Sequence, residues 1–170
     1  RPPGSGGGRF GPAHRVAELR LQLPDRQPLR VLADLPYAPV AVVALGFRRQ
    51  DVRHPLDGFG MLVPEVEGFQ ILGTLFSSSL FPGRAPDGHV LLTTFVGGAR
   101  APAVARADHD TVLALVQRDL EHLLGVRAGP VFQRVIRWTH AIPQYTRQHA
   151  ACRVAIDALE TANPGLYLAG

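Results

Sequence analysis

Three stretches of the chain, 59–64, 69–76 and 89–97, are apolar runs of strand length. Each places a glycine two positions from a large apolar residue: Gly60 with Leu62, Gly73 with Leu75, and Gly97 with Phe95. Residues two apart on a strand share a face. Three adjacent strands of this kind present bulky and bare positions side by side on one surface, which suits a large, flat, apolar molecule. The other parity gives Phe59, Met61 and Val63, then Leu72, Thr74 and Phe76, then Leu92, Thr94 and Val96. Those sets predict an ordinary core face. A second reading stands beside this one: both faces are buried and the glycines only allow close packing of backbones.

The remaining pattern supplies the frame. Residues 40–47 form an unbroken apolar run, expected of a buried strand. A hairpin turn is expected at 65–68, a loop at 81–88, and a loop start or solvated strand end at the serines 77–79. Residues 109–124 predict a helix with the apolar stripe Val112, Leu113, Val116, Leu120, Leu123 and Leu124. Asp108 caps it, Asp110 favours the positive end of its dipole, and Gly125 stops it. Residues 130–139 predict a further strand. Residues 149–162 predict a second helix with Val154, Ala155, Ala158 and Leu159 inward, broken by Asn163-Pro164-Gly165. A last strand is expected from Leu166 to Ala169. Residues 13–35 carry Pro24 and Pro28 and fit helix fragments or a short hairpin. The order ββββαβαβ, with strands largely sequential, predicts an α+β fold: a mixed, largely antiparallel sheet flanked by helices.

Composition narrows the function. The 170 residues suit one domain. All 18 cationic side chains are arginine, scattered along the chain, and the net charge is only +4. Nucleic-acid binding needs a basic patch, so none is expected. No apolar run approaches a membrane span, and the opening RPPG lacks the apolar core of a secretory leader. A start without Met fits a processed or partial chain. Cys152 is the single cysteine, which excludes an internal disulfide and fits a reducing compartment. The glycines at 4 and 6–8 have no strand before them and no helix directly after, so they fit a flexible linker better than a phosphate loop.

Catalytic signatures are absent. There is no HExxH, CxxC, GxSxG or Walker loop. His149 and Cys152 lie three apart on a predicted helix with no third ligand, so no metal site is expected. Ser77, Ser78 and Ser79 have no evident base, and the acidic residues form no acid/base pair, so no catalytic residue is assigned. A face of Leu, Phe and Gly can bind and orient a substrate for a cofactor that carries the chemistry.

At those residues the chain resembles the oxygen-dependent protoporphyrinogen oxidases and the related coproporphyrinogen III oxidases of the flavin amine oxidase superfamily. The matching segments are PYAPVAVVALGF (36–47), HPLDGFGMLVPEVEG (54–68), ILGTLFSSSLFPGR (71–84), TTFVGGAR (93–100), AIPQY (141–145) and GLYLAG (165–170). They occur in family order. The resemblance implies an FAD-dependent oxidation of a porphyrinogen in haem biosynthesis, with oxygen reoxidising the flavin. It implies that residues 36–164 belong to the porphyrinogen-binding domain, with Gly60, Leu62, Leu75 and Phe95 lining the pocket. Residues 1–35 are then an atypical N-terminal segment, and residues 165–170 begin the C-terminal FAD motif, where Ala169 and Gly170 are the cofactor-binding positions. Most FAD contacts of the family lie in segments not found here, so the fragment is expected to be inactive alone; Gln148, where the family usually has glycine, bears only on the local turn. Arg84 or Arg100 is a candidate to meet the substrate's carboxylate arms, against the reading that both are solvated loop residues. The resemblance points to the cytoplasm and leaves open a peripheral membrane contact and pairing of two chains. The alternative function is a non-catalytic porphyrin-binding or complex-forming domain.

Overall fold

The apolar run at 40–47 lies inside β1 (Tyr37–Arg48), one of the two longest strands of a five-stranded sheet. The computed structural model describes residues 27–147 and 149–168. The expectations for residues 1–26, Gln148, Ala169 and Gly170 lie outside them. The other strands are β2 (Gly60–Leu62), β3 (Ile71–Leu75), β4 (His89–Gly97) and β5 (Phe132–Pro143). Their order across the sheet is β2-β3-β4-β1-β5. β1 runs antiparallel to β4, from Val40 opposite Gly97 to Arg48 opposite His89, and β3 pairs antiparallel with both β2 and β4. With its helices the chain has the α+β character that the element order predicts.

Parity sorts the side chains of β1 and β4. Ala41, Val43, Leu45 and Phe47 stand opposite Val96, Thr94, Leu92 and Val90, and all eight are buried. They join one core with Val112, Val116, Leu120 and Leu124 of the helix α4 (His109–Leu124). α4 begins and ends where its sequence says it should. The Asp108 carboxylate accepts from the Thr111 amide at 2.9 Å and from the Thr111 hydroxyl at 2.6 Å, and Gly125 closes the helix in the left-handed region at φ 63°.

The core face of β3 differs from expectation by one residue. Ile71 pairs with Val96 but Gly73 pairs with Phe95, so Leu72 is an extra residue in a β-bulge. The bulge turns Ile71 into the core and leaves Leu72 half-buried, the reverse of what simple alternation predicts. Two charged side chains hold this point. Asp119, buried on α4, accepts from the amides of Gln70 at 2.7 Å and Ile71 at 3.1 Å. Arg100 donates to the carbonyls of Val63 at 3.2 Å and Ile71 at 2.8 Å. Phe59 also departs from expectation. It precedes the short strand β2 and is 69% exposed, while Met61 and Val63 reach the core.

Local differences follow the same logic of hydrogen bonding. The turn at 65–68 is a 3-10 turn, Glu65–Glu67, closed by Gly68. The serines begin α2 (Ser77–Leu80) instead of a loop. Ser77 shares a 2.7 Å hydrogen bond with the Thr93 hydroxyl, and Ser78 accepts from the Leu91 amide at 3.0 Å. Both hydroxyls therefore tie α2 to β4. A helix that alternation did not indicate, α3 (Pro102–Arg106), follows β4 with proline at its start.

Residues 37–142 form one compact unit, and 27–36 with 143–168 form another. The 36–164 segment of the sequence reading spans parts of both. In the second unit, α1 (Gln27–Ala33) carries Pro28 in its first turn, where a missing N–H costs nothing. It packs on α5 (His149–Ala162) through Leu32, Cys152, Ala155 and Leu159. The buried stripe of α5 therefore runs through Cys152, Ala155 and Leu159. Val154 is 69% exposed and Ala158 is exposed, contrary to the expected inward set. Leu166 to Leu168 form no strand. This segment turns back on α5, with the Leu168 amide donating to the Glu160 carboxylate at 2.7 Å and both leucines packed on the small core.

Candidate functional site

Opposite positions of an antiparallel pair project on the same side of the sheet. Leu62 stands opposite Gly73, Gly73 opposite Phe95, and Phe95 opposite Val42. A second row runs from Gly60 to Leu75, Thr93 and Ala44. All four pocket candidates, Gly60, Leu62, Leu75 and Phe95, thus lie on one face across three strands. It is the face turned away from α4. Leu62 is 88% exposed, and Leu75, Phe95, Val42, Ala44 and Thr93 are half-buried.

The glycines are explained by neighbouring backbone. A Cβ on Gly73 would lie 2.5 Å from the Met61 carbonyl oxygen and 3.1 Å from Leu62 Cδ2. Sheet pairing alone therefore requires a bare position there, and Leu62 leans across it. Gly97 does not belong to the open face. A Cβ on it would lie 2.5 Å from the Ala105 Cβ of α3 and 2.9 Å from the Pro39 carbonyl oxygen, and its φ is +99°. A Cβ on Gly60 would likewise press on the Thr74 carbonyl oxygen and lie 2.9 Å from Leu75 Cα, so the close-packing reading holds at all three glycines, while the face itself stays half-open.

Val42, Ala44 and Thr93 complete the face without having been singled out. The run at 40–47 is apolar at both parities, so alternation within it carries no signal; the pairing to Phe95 and Thr93 places them.

This face offers dispersion contact and no acid or base. Thr93 is its one polar side chain in the two rows, and its hydroxyl is engaged by Ser77. Arg100, a candidate for carboxylate binding, has its guanidinium committed to two backbone carbonyls. Among the described residues no group of His, Cys, Asp and Glu could hold a metal ion, and no helix is long and apolar enough to cross a membrane. A dinucleotide needs a glycine turn opening a helix toward its phosphates. The Gly97-Gly98 turn leads into α3 instead, whose Ala105 occupies the space beside Gly97.

Among the described residues this half-open apolar face carries no acid or base of its own in its two rows. The family described as flavin containing amine oxidoreductase matches residues 11–170, and the chain belongs to that family. It is 41% identical over 145 residues to the mitochondrial protoporphyrinogen oxidase of Nicotiana tabacum, covering 84% of this chain and 29% of the relative. It is 30% identical over 132 residues to the coproporphyrinogen III oxidase of Bacillus subtilis (strain 168), covering 77% of this chain and 28% of the relative. A crystal structure from Exiguobacterium sp. 255-15, provisionally named a protoporphyrinogen oxidase, superposes with a TM-score of 0.70 at 25% identity, over 94% of this chain and 34% of that one. The chain thus spans about three tenths of the length of the curated relatives it matches.

Proposed function

We propose that this chain supplies the substrate-binding sheet of an FAD-dependent oxidase that converts protoporphyrinogen or coproporphyrinogen to the porphyrin, with oxygen as the acceptor. The observation that carries the reading is the pair of rows Leu62–Gly73–Phe95–Val42 and Gly60–Leu75–Thr93–Ala44 on one half-open face. The relatives' names supply the substrate class. A flat macrocycle lies against Leu75 and Phe95, with Leu62 closing from the edge. Burying each of these side chains contributes about 1.5–3 kcal/mol at most. The oxidation itself belongs to FAD, and on this reading the 170-residue chain binds porphyrin without turning porphyrinogen over. Ala169 and Gly170 as flavin contacts, a cytoplasmic location, contact with a membrane surface and pairing of two chains belong to the same proposal.

The test is a fluorescence titration of the full chain with protoporphyrin IX. Phe95→Ala and Leu62→Asp are expected to weaken binding by about tenfold or more, which corresponds to about 1.4 kcal/mol. Arg127→Ala, on an exposed loop, leaves it unchanged. Equal effects at all three positions would remove the pocket assignment, and porphyrin formation by the chain supplied with FAD would overturn the inactivity of the chain alone.

A further inference from the structure

The open face continues along β4 beyond the two rows. Leu91 and His89 follow Phe95 and Thr93 in the same parity, and Gly46 stands opposite Leu91. There the surface dips into a cavity of about 400 Å³ lined by Gly46, Arg84, Pro86, His89, Leu91 and Phe132, among others. Gly46 makes the floor: a Cβ on it would lie 3.1 Å from the Phe132 Cβ. No carboxylate lines the cavity.

Among the described arginines of this unit, Arg49, Arg100, Arg118 and Arg137 have bonded side chains, Arg48, Arg53, Arg84, Arg106, Arg127 and Arg134 do not, and of these six only Arg84 lines the cavity. Arg49 donates to the carbonyls of Val52, His54 and Pro55, Arg100 to those of Val63 and Ile71, and Arg137 to that of Ala107. Arg118 is paired with Asp119. The Arg84 guanidinium lies over the Phe81 ring, 5.6 Å from its centroid, with no hydrogen-bond acceptor among the described residues. Its donors are unspent at the mouth of an apolar cavity. A guanidinium fork matches a carboxylate in two places at once, and stacking on a ring limits its motion.

We infer that this cavity receives a carboxylate arm of the ligand whose flat body lies on Phe95 and Leu75, with Arg84 as the residue that selects for the anion. The inference rests on the reading given under Proposed function. Leu91 is four residues from Phe95, about 13 Å along the strand at about 3.3 Å per residue. That offset separates the bed for an apolar ring from the cation that meets an arm at its edge. The arm's methylenes lie against Leu91 and Phe132, and its oxygens meet Arg84.

The experiment compares two ligands on the full chain: coproporphyrin, which carries four carboxylates, and its tetramethyl ester, which carries none. Arg84→Gln is expected to weaken the free acid by about tenfold and to change the ester by less than about twofold. Arg84→Lys recovers part of the loss, because the charge returns without the fork. Phe95→Ala weakens both ligands. Arg84 is exposed, so the substitution leaves the core intact, and an unchanged urea midpoint verifies this. If Arg84→Gln affects acid and ester alike, or affects neither while Phe95→Ala weakens both, the anion subsite is wrong and the porphyrin-binding face stands. Failure of the unaltered chain to bind either ligand overturns both.

Discussion

The two sides of strand β4 are built from the same eight consecutive residues and behave as different materials. Val90, Leu92, Thr94 and Val96 are sealed under α4. His89, Leu91, Thr93 and Phe95 are half-buried. Even the polar members differ. Thr94 lies in the core and bonds the Thr74 hydroxyl at 3.0 Å, whereas Thr93 turns its hydroxyl to Ser77 at the start of α2. A sheet with one sealed face needs no further cover to be stable. Its other face can then keep apolar side chains partly open, which is what a binding surface for a flat apolar ligand requires.

The sharpest way to break the comparison is to delete one aromatic ring on each side. Phe47 is fully buried and stands opposite Val90 on the sealed face. Phe47→Ala is expected to cost about 3–5 kcal/mol of stability. Phe95→Ala removes a half-buried ring and is expected to cost about 1 kcal/mol, with its main effect on porphyrin affinity. Urea denaturation reads both. Similar losses from the two substitutions would mean that the faces are equally structural, and the binding reading of Phe95 would lose its basis.

A smaller effect comes from the device that decides which side each residue of β3 takes. Asp119 fixes the amides of Gln70 and Ile71, next to the bulge that sends Ile71 inward and Gly73 and Leu75 outward. Asp119→Ala leaves two amides without their acceptor, for an expected cost of about 2–4 kcal/mol. Asp119→Asn keeps one acceptor oxygen and costs less. Hydrogen exchange at the Ile71 amide should rise in step with the lost stability. Unchanged protection there would show that the bulge is held by strand pairing alone.

That bulge marks where the sequence stops being legible. Alternation placed Leu62, Leu75 and Phe95 on a shared face, and it sorted Leu92, Thr94 and Val96 into the core. It assigned Leu72 to the core in place of Ile71, because one inserted residue reverses the parity, and no local residue type announces the insertion. The helix at 109–124 was readable in full, since its cap, stripe and stop are all local signals. The stripe of α5 was misread toward Val154 and Ala158, although Cys152, Ala155 and Leu159 fit the 3.6-residue spacing and cysteine packs as a small apolar side chain. Arg84 and the cavity beside it depend on Gly46, Leu91 and Phe132 meeting across β4, β1 and the start of β5. Those are long-range neighbours that spacing cannot supply.

The finest distinction between the faces concerns the helix that seals one of them. Asp108 caps α4, and its carboxyl sits below the ordinary aspartate value of 3.8, first because the Thr111 hydroxyl donates to it and then because the Thr111 amide does. A carboxyl with a lowered pKa in the folded protein stabilises it above the unfolded value, and that contribution fades as pH falls through the folded value. The cap should therefore weaken only in acid. Asp108→Ser retains a capping oxygen without a titrating group, so its urea midpoint should fall less than that of the unaltered chain between about pH 6 and pH 3. Porphyrin affinity near neutral pH should not move, because α4 lies against the opposite face. An equal acid slope in the two proteins would place the titration elsewhere, and a changed affinity would mean that the sealed face governs the open one.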